Sequence, residues 1–219
     1  MFGALGDIHG DFDAVRRIME RHREVPFWLC VGDVATADGR YESFPSPLYF
    51  IKGNNENFDV LASGELPENV FFIPNGQQTS IGELRIAGLG GTHAPTMYDV
   101  AAADLPHPKK STPKATEAAD RRRHFVREEV DACKALRDID VFLSHEAPRP
   151  FRVHRGIDAG KAQINEVLAA MQPRLHLFGH HHRFVAGESQ GVPSLCLDGV
   201  GTSYLLFDRN TLEYQQLSS

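Results

Sequence analysis

Five hydrophobic runs in this 219-residue chain each end in a short polar segment that carries potential metal ligands. The segments are Gly6-Asp7-Ile8-His9-Gly10, Gly32-Asp33, Gly53-Asn54-Asn55-Glu56, Ser144-His145 and Gly179-His180-His181-His182. In open α/β sheets, ligands bind at the carboxyl ends of the strands. Carboxylate and imidazole groups have little reason to collect there unless a cation holds them. The pattern therefore predicts a fold that brings five distant strand ends to one shared site.

The apolar runs alternate with segments of helical periodicity, which is typical of α/β layering. Helices are predicted at 12–23, 57–61, 118–137 and 159–171, and Asp11 is in position to cap the first of them. Strands are predicted at 2–5, 26–31, 47–51, 70–73, 78–81, 84–89, 139–143, 175–178, 192–197, 204–207 and 212–217. The last three indicate a closing antiparallel meander, so the strands form either a mixed sheet or two packed sheets.

Composition places these elements in one domain and excludes several classes of protein. The chain is 42% hydrophobic, so we predict a single α/β domain over residues 1–219. No secretory signal and no apolar stretch of about 18 residues is visible, which predicts a soluble cytoplasmic protein without a membrane span. Cys30, Cys133 and Cys196 are interpreted as small buried hydrophobic residues. A net charge of −6 argues against general nucleic-acid binding.

The polar segments supply candidate metal ligands of mixed nitrogen and oxygen character. They are Asp7, His9, Asp33, Asn54, His145, His180 and His182. This set exceeds what one ion needs and suits a pair of divalent ions about 3.5–4 Å apart, with Asp33 able to bridge them through its two oxygens. Imidazole and carboxylate ligands without a thiolate favour manganese, iron or zinc.

Taken in order, the segments D-x-H, G-D, G-N-x-E, S-H and G-H-x-H resemble the calcineurin-like metallophosphoesterase superfamily over the stretch from Asp7 to His182. The resemblance implies an α/β fold, a four-layer α/β/β/α sandwich in which two mixed sheets lie between layers of helices. It also implies the ligand sets of the two ions, which are Asp7, His9, Asp33 and His182 for one and Asp33, Asn54, His145 and His180 for the other.

The predicted activity follows from the charge of a phosphate ester, whose oxygens repel an incoming hydroxide. Two divalent ions neutralise those oxygens and lower the pKa of a bridging water, so that hydroxide is present at neutral pH. We therefore predict an enzyme that hydrolyses a phosphate mono- or diester, of a small molecule or a nucleotide, by attack of a metal-bridging hydroxide. Asn54 and the histidines are expected to orient the substrate oxygens.

The third segment departs from the family pattern at one position. Its commoner form is Gly-Asn-His-Asp/Glu, and the resemblance assigns that histidine to protonating the leaving oxygen. Here the position is Asn55, whose neutral amide donates a hydrogen bond but cannot act as a general acid. Either the leaving group needs no proton, as in nucleoside polyphosphates and aryl phosphates, or His93 or His181 supplies it, or turnover is weak. Glu56 is interpreted as a cap of the helix that follows.

A basic segment gives a second indication of the substrate. Residues 107–127, within an irregular insertion around 93–127, hold seven basic residues against two acidic ones, a net charge of +5. The segment is either a solvated helix start with a loose loop or a cationic lid over an anionic substrate. Arg152 and His154 follow a metal-bearing strand and are further candidates for phosphate contacts.

Two other functions stay open at this point. The layout of residues 121–148 resembles RNA lariat debranching enzymes of the same superfamily, which makes a nuclease that binds nucleic acid through residues 107–127 the first alternative. Those relatives keep the histidine that Asn55 replaces, and they often lack the first aspartate, present here as Asp7. The second alternative is a metal-bound protein that binds a partner without turnover.

Overall fold

The computed structural model describes residues 1–106 and 120–219 and contains two six-stranded mixed sheets. The strands of the first sheet, in spatial order, are β14 (Tyr214–Ser218), β13 (Ser203–Phe207), β1 (Phe2–Leu5), β2 (Trp28–Cys30), β3 (Leu48–Phe50) and β4 (Val70–Phe72). Strands β1 to β4 are parallel, while β13 pairs antiparallel with both β1 and β14. The carboxyl ends of β1, β2 and β3 therefore meet at one edge of this sheet.

The second sheet has the same mixed character. Its strands, in spatial order, are β11 (Val185–Ser189), β12 (Val192–Cys196), β10 (Leu175–Phe178), β9 (Val141–Ser144), β6 (Leu84–Leu89) and β5 (Gln78–Ile81). The four central strands are parallel, and the two edge strands pair antiparallel with their neighbours. A separate two-stranded parallel pair joins β7 (Thr92–His93) to β8 (His124–Phe125).

The two sheets pack face to face, and helices cover their outer faces. Phe2 and Leu29 of the first sheet share a buried cluster with Ile86, Val141 and Leu177 of the second. The alternating side chains of β1 and β2 point outward instead, into a second cluster with the first helix. The helices are α1 (Phe12–Arg21), α2 (Phe58–Ser63), α3 (Arg127–Ala135) and α4 (Ala162–Met171). This arrangement confirms the predicted four-layer α/β/β/α sandwich of two mixed sheets.

Helix α1 illustrates how the sequence pattern produces the outer layer. Asp11 accepts a hydrogen bond from the backbone N–H of Ala14 at 3.1 Å, as predicted for its cap. Val15, Ile18 and Met19 are buried against the outer face of the first sheet. Burial of each such side chain stabilises the fold by about 1.5–3 kcal/mol relative to an exposed one.

The helix predicted at 118–137 is wrong at its start, because α3 begins only at Arg127. Residues 118–119 lie outside the described residues, and Arg121–Arg123 form a single 3₁₀ turn before β8. The Lys52 ammonium donates hydrogen bonds to the carbonyls of Arg122 and His124 at 3.0 and 3.1 Å. Those carbonyls are therefore bound by a distant side chain instead of by the next helical turn.

Other features of the fold bear on the sequence interpretation. The helix predicted at 159–171 starts at Ala162, because the Ala159 N–H donates to the Phe151 carbonyl. The edge strand β11 was not predicted, because its residues are exposed and carry no apolar alternation. All three cysteines are buried and unpaired, as predicted. Among the described residues, no helix has the length and apolar character that crossing a membrane requires.

His176, in the centre of β10, is fully buried in the second sheet. Its ring stacks on Phe142 and Phe178 and lies 2.8 and 3.2 Å from the hydroxyls of Ser144 and Ser194. Burial lowers the pKa of His176 to about 3, so the imidazole is neutral in the folded protein. The residue therefore acts in packing.

His176 should make the fold sensitive to acid. Between about pH 6.5, the ordinary pKa of histidine, and pH 3, the unfolded chain binds a proton that the folded chain refuses. The free energy of unfolding should therefore fall as the pH is lowered, by about 2 kcal/mol from this residue at pH 5. Urea unfolding at pH 7 and at pH 5, in buffer that contains a metal chelator, measures this fall in the free energy of unfolding. In His176→Asn the loss between the two pH values should be about 2 kcal/mol smaller, whereas His154→Asn, at an exposed position, should behave as wild type. An unchanged loss in His176→Asn would contradict the assignment.

Candidate metal centre

The candidate ligands all follow the carboxyl ends of parallel strands. In the first sheet, β1 is followed by Asp7 and His9, β2 by Asp33 and β3 by Asn54. In the second sheet, β9 is followed by His145, and β10 by His180 and His182. Because the two sheets face each other, these loops meet at one edge of the sandwich. The meeting is held by backbone contacts, since the N–H groups of Ile8 and His9 donate to the Asp33 carbonyl at 3.1 and 2.7 Å.

Six of these side chains form two clusters in which the potential ligand atoms all lie within 4.8 Å of one another. One cluster is Asp7, His9 and His182, and the other is Asp33, His145 and His180. In the first, Asp7 Oδ2 lies 2.8 Å from His182 Nε2, and His9 Nε2 lies 3.3 Å from the same nitrogen.

The Asp33 carboxylate lies between the clusters. Its Oδ2 is 3.5 Å from His9 Nε2 in the first cluster and 3.7 Å from His145 Nε2 in the second. Its Oδ1 accepts a hydrogen bond from the backbone N–H of Asn55 at 2.7 Å. One carboxylate thus reaches the donor atoms of both groups, which is the geometry that a bridging ligand needs.

The arrangement around His145 fits a cation. Its Nδ1 lies 2.8 Å from the Val31 carbonyl, which only accepts hydrogen bonds, so Nδ1 carries the proton and Nε2 keeps its lone pair. That Nε2 faces another acceptor, the Asn54 side-chain oxygen, at 3.1 Å. A divalent metal ion placed between this lone pair and the amide oxygen would bind both.

Metal binding requires neutral imidazole and ionised carboxylate, and two groups of the clusters have pKa values shifted in that direction. Burial lowers the pKa of His180 to about 4. Burial opposes ionisation of Asp7, but its hydrogen bond with His182 and the nearby His145 prevail and lower its pKa. The pKa of His182 is raised instead, chiefly by its hydrogen bond with Asp7. The backbone N–H of His180 also donates to both Asp7 oxygens, at 3.1 and 3.2 Å.

Four candidate ligands have left-handed backbone conformations, a feature that sequence reasoning missed. The φ angles are 47° for His9, 52° for Asp33, 70° for His180 and 46° for His182. Such residues cost on the order of 1–3 kcal/mol each and collect at functional sites. The only sequence signal was the glycine beside each ligand segment.

Two of these glycines are required by close approach. A Cβ atom on Gly53 would lie 2.0 Å from Asp33 Oδ1, and one on Gly179 would lie 2.4 Å from Asp7 Oδ1. Both distances are far below van der Waals contact. The glycines therefore leave room for the carboxylates of the two clusters.

Glu56 does not cap helix α2, contrary to the sequence interpretation. Asn57 caps the helix through a hydrogen bond from the Val60 N–H at 3.3 Å. The carboxylate of Glu56 instead accepts from the N–H groups of Val34, Ala35 and Gly53 and from the Tyr41 hydroxyl. Burial raises the pKa of Glu56 to about 7, against the effect of these hydrogen bonds. Glu56 thus joins the Asp33 loop to the Asn54 loop.

The structure brings Asn55 next to the first cluster but leaves His93 and His181 outside both. The Asn55 side-chain amide lies 3.4 Å from His9 Nδ1. The His93 ring packs 5.2 Å from the Tyr98 ring, and its backbone N–H donates to Glu146. The His181 ring stacks 4.6 Å from that of Phe151, and burial lowers its pKa to about 4. A role for either histidine as a proton donor stays a prediction.

The other candidates for phosphate contacts are Arg152, His154 and the basic segment. Arg152 and His154 are exposed, and His154 opens a short 3₁₀ turn. Residues 107–119 of the basic segment lie outside the described residues. In its described part, Arg122 pairs with Asp120 and Asp59, and Arg127 pairs with Asp99. Two arginines of the expected cationic lid are therefore neutralised.

Comparison with known proteins agrees with this fold. A sequence profile of the family described as calcineurin-like phosphoesterase matches residues 1–184. The lariat debranching enzyme of Schizosaccharomyces pombe is 26% identical over 205 residues, 82% of this chain and 43% of that enzyme, so the chain spans less than half of this curated relative.

Solved structures resemble the whole chain in fold. The structure of TT1561 from Thermus thermophilus superposes with a TM-score of 0.62 at 13% identity, covering 99% of this chain and 97% of that one. A further crystal structure superposes with a TM-score of 0.70 at 8% identity, covering 99% and 98%. With the profile match, the chain belongs to the calcineurin-like phosphoesterase family.

Proposed function

We propose that the chain hydrolyses phosphate esters of nucleotide type with two divalent ions bound at the edge of the sandwich. Asp7, His9 and His182 hold one ion, Asn54, His145 and His180 hold the other, and Asp33 binds both. The observation that carries the proposal is the Asp33 carboxylate, whose Oδ2 lies within 3.7 Å of a histidine nitrogen in each cluster. The mixed nitrogen and oxygen ligands favour manganese, iron or zinc.

The bound ions supply charge neutralisation for the phosphoryl oxygens and a water of lowered pKa as the nucleophile. The chain's own residues hold the groups in place. Asp33 is oriented by the Asn55 N–H, and Asn54 directs its side-chain oxygen to the same point as His145. The buried Asp7 is held by the His180 N–H. Such preorganised groups need no rearrangement when the substrate binds.

Asn55 in this proposal orients His9 and donates no proton to the leaving group. If His9 binds an ion through Nε2, its Nδ1 carries a proton and needs an acceptor. The Asn55 amide, 3.4 Å away, provides one through its oxygen, since the oxygen and nitrogen of an amide exchange by a 180° flip. The substrate must then have a leaving group that departs without protonation, such as an aryl oxide or a nucleotide phosphate.

A second candidate is a nuclease of the debranching type. The similarity to the Schizosaccharomyces pombe enzyme over 82% of this chain favours it. It predicts manganese-dependent cleavage of a branched RNA at its 2′,5′ bond. It also predicts RNA binding that salt weakens. The logarithm of the association constant should fall by about 0.7 for each phosphate contacted when the salt concentration rises tenfold. A gel cleavage assay and a salt titration of binding measure both, with linear RNA as control. Intact branched RNA, together with binding that salt does not weaken, would eliminate this candidate.

Loss of Asp33 should remove both ions together with activity. Asp33→Ala deletes the carboxylate shared by the clusters, so metal content should fall from two ions per chain to near zero, and hydrolysis of bis-p-nitrophenyl phosphate should cease. Elemental analysis and a colorimetric assay measure the two quantities. Asp13→Ala is the matched control, because Asp13 is exposed on helix α1 and pairs with Arg16.

A second variant tests the geometry while keeping the ligand. Gly53→Ala places a Cβ atom where Asp33 Oδ1 lies, so it should lower metal content as well. Gly187→Ala, whose added Cβ meets nothing within 4 Å, should keep both ions. Two tightly bound ions in Asp33→Ala would overturn the bridging role. Absence of hydrolysis of any phosphate ester by the manganese-loaded wild type would overturn the proposed function.

The rate should depend steeply on the leaving group because Asn55 supplies no proton. Alkyl phosphates should react more slowly than p-nitrophenyl phosphates by the full difference seen in solution, because the general acid that would reduce this difference by about 10²–10⁴-fold is missing. Asn55→His should raise the rate on alkyl esters by about 10²-fold and leave aryl esters within about threefold. Steady-state kinetics on both ester types measure this, with the aryl ester as the internal control. Equal rates on both esters, in wild type and variant, would refute the assignment.

A further inference from the structure

A polar groove lies directly beside the candidate metal centre. Asn54 and Asn55 line one part of it, and Arg122 and Arg123 line another. Its volume of about 550 Å³ falls in the range of pockets that bind small molecules, about 300–1,000 Å³, and far exceeds the space that one phosphoryl group needs. The groove therefore has room for parts of a substrate beyond the reacting phosphate.

The three aspartates that line the groove have cationic partners. Asp38 pairs with Arg40 at 2.8 Å. Asp120 and Asp59 pair with Arg122 at 2.6 and 2.9 Å. The groove also contains Glu56, whose carboxylate is directed at backbone N–H groups. The negative charges of the groove are thus compensated.

Arg123 is different, since it forms no ion pair within residues 1–106 and 120–219. Among the described residues, its Nε–H is buried and has no hydrogen-bond partner. A buried donor on a charged group that stays unsatisfied costs about 1–3 kcal/mol or more. Arg123 itself lines the groove, where a bound anion would accept hydrogen bonds from the terminal N–H groups of its guanidinium.

The backbone around Arg123 is held at a set position relative to the metal ligands. The Lys52 ammonium donates to the carbonyls on either side of this residue, those of Arg122 and His124. Lys52 lies two residues before Asn54, so the same short segment carries a candidate ligand and anchors the arginine. The pairing of His124 with Thr92 holds the other side. The backbone that carries the Arg123 side chain is therefore fixed relative to the metal ligands.

We propose that Arg123 binds a second, non-reacting phosphate of the substrate in this groove. This rests on the proposed function and names the substrate class more narrowly, as a nucleotide ester with two phosphate groups. The ions neutralise the oxygens of the reacting phosphate, and the planar guanidinium matches the oxygens of another phosphate with two parallel hydrogen bonds.

The test compares two esters that differ only in the second phosphate. Thymidine 5′-(p-nitrophenyl phosphate) and its 3′-phosphorylated form have the same leaving group. Wild type should prefer the doubly phosphorylated ester by about 10–100-fold in kcat/KM, the worth of one charge-assisted contact. Arg123→Gln should remove that preference through KM, with kcat unchanged and the singly phosphorylated ester little affected. Arg121→Gln is the matched control, because Arg121 is exposed and does not line the groove.

Binding provides a readout that does not need turnover. By calorimetry in chelator, thymidine 3′,5′-bisphosphate should bind wild type and Arg121→Gln about tenfold more tightly than Arg123→Gln does. Thymidine, which has no phosphate group, should show no such difference. The inference is wrong if Arg123→Gln lowers kcat/KM by the same factor on both esters, or if Arg121→Gln has the same effect as Arg123→Gln. Either result would count even if the protein is an active phosphoesterase. If no ester is hydrolysed, the proposed function fails, while the calorimetry still tests Arg123.

Discussion

The position of the Asp33 carboxylate is the constraint on which the rest of the site depends. Its Oδ2 lies between a histidine nitrogen of each cluster, and its Oδ1 accepts from the Asn55 N–H. That placement requires a left-handed backbone at Asp33 and a glycine at position 53, because any Cβ there would overlap the carboxylate. A small displacement of this one group would separate the two clusters.

The surrounding fold supplies the rigidity that such strain needs. Ligand loops in unfavourable backbone conformations persist only where their neighbours over-determine them. Here the Asp33 carbonyl binds the first loop, Glu56 joins the second loop to the third, and the His180 N–H holds Asp7 across from the second sheet. Both packed sheets thus contribute to the same centre, and neither sheet could form it alone.

The arginines of the basic segment have different roles in the folded protein. Arg122 is paired with Asp120 and Asp59 and ties the 3₁₀ turn to helix α2. Arg127 is paired with Asp99 and stacks on the Tyr98 ring at 4.6 Å. Aspartates compensate the charges of these two arginines, whereas Arg123 forms no ion pair with the residues that the structure describes. The count of positive charges in a sequence therefore says less about anion binding than the number left without a partner after folding.

Much of the fold and of the candidate ligand set could be predicted from local sequence pattern. The alternation of strands with amphipathic helices, the cap at Asp11 and the ordered polar segments predicted the layers and the candidate ligands, because these depend on neighbours close in the chain. Their assignment to two ions stays a prediction.

Other features depended on contacts between distant residues. Lys52 takes the carbonyls that would have started α3 earlier, Glu56 binds backbone groups about 20 residues away instead of capping α2, and His93 and His181 pack against aromatic rings outside the clusters. Only the packing of the two sheets decides which polar groups meet, because periodicity carries no information about partners far apart in the chain.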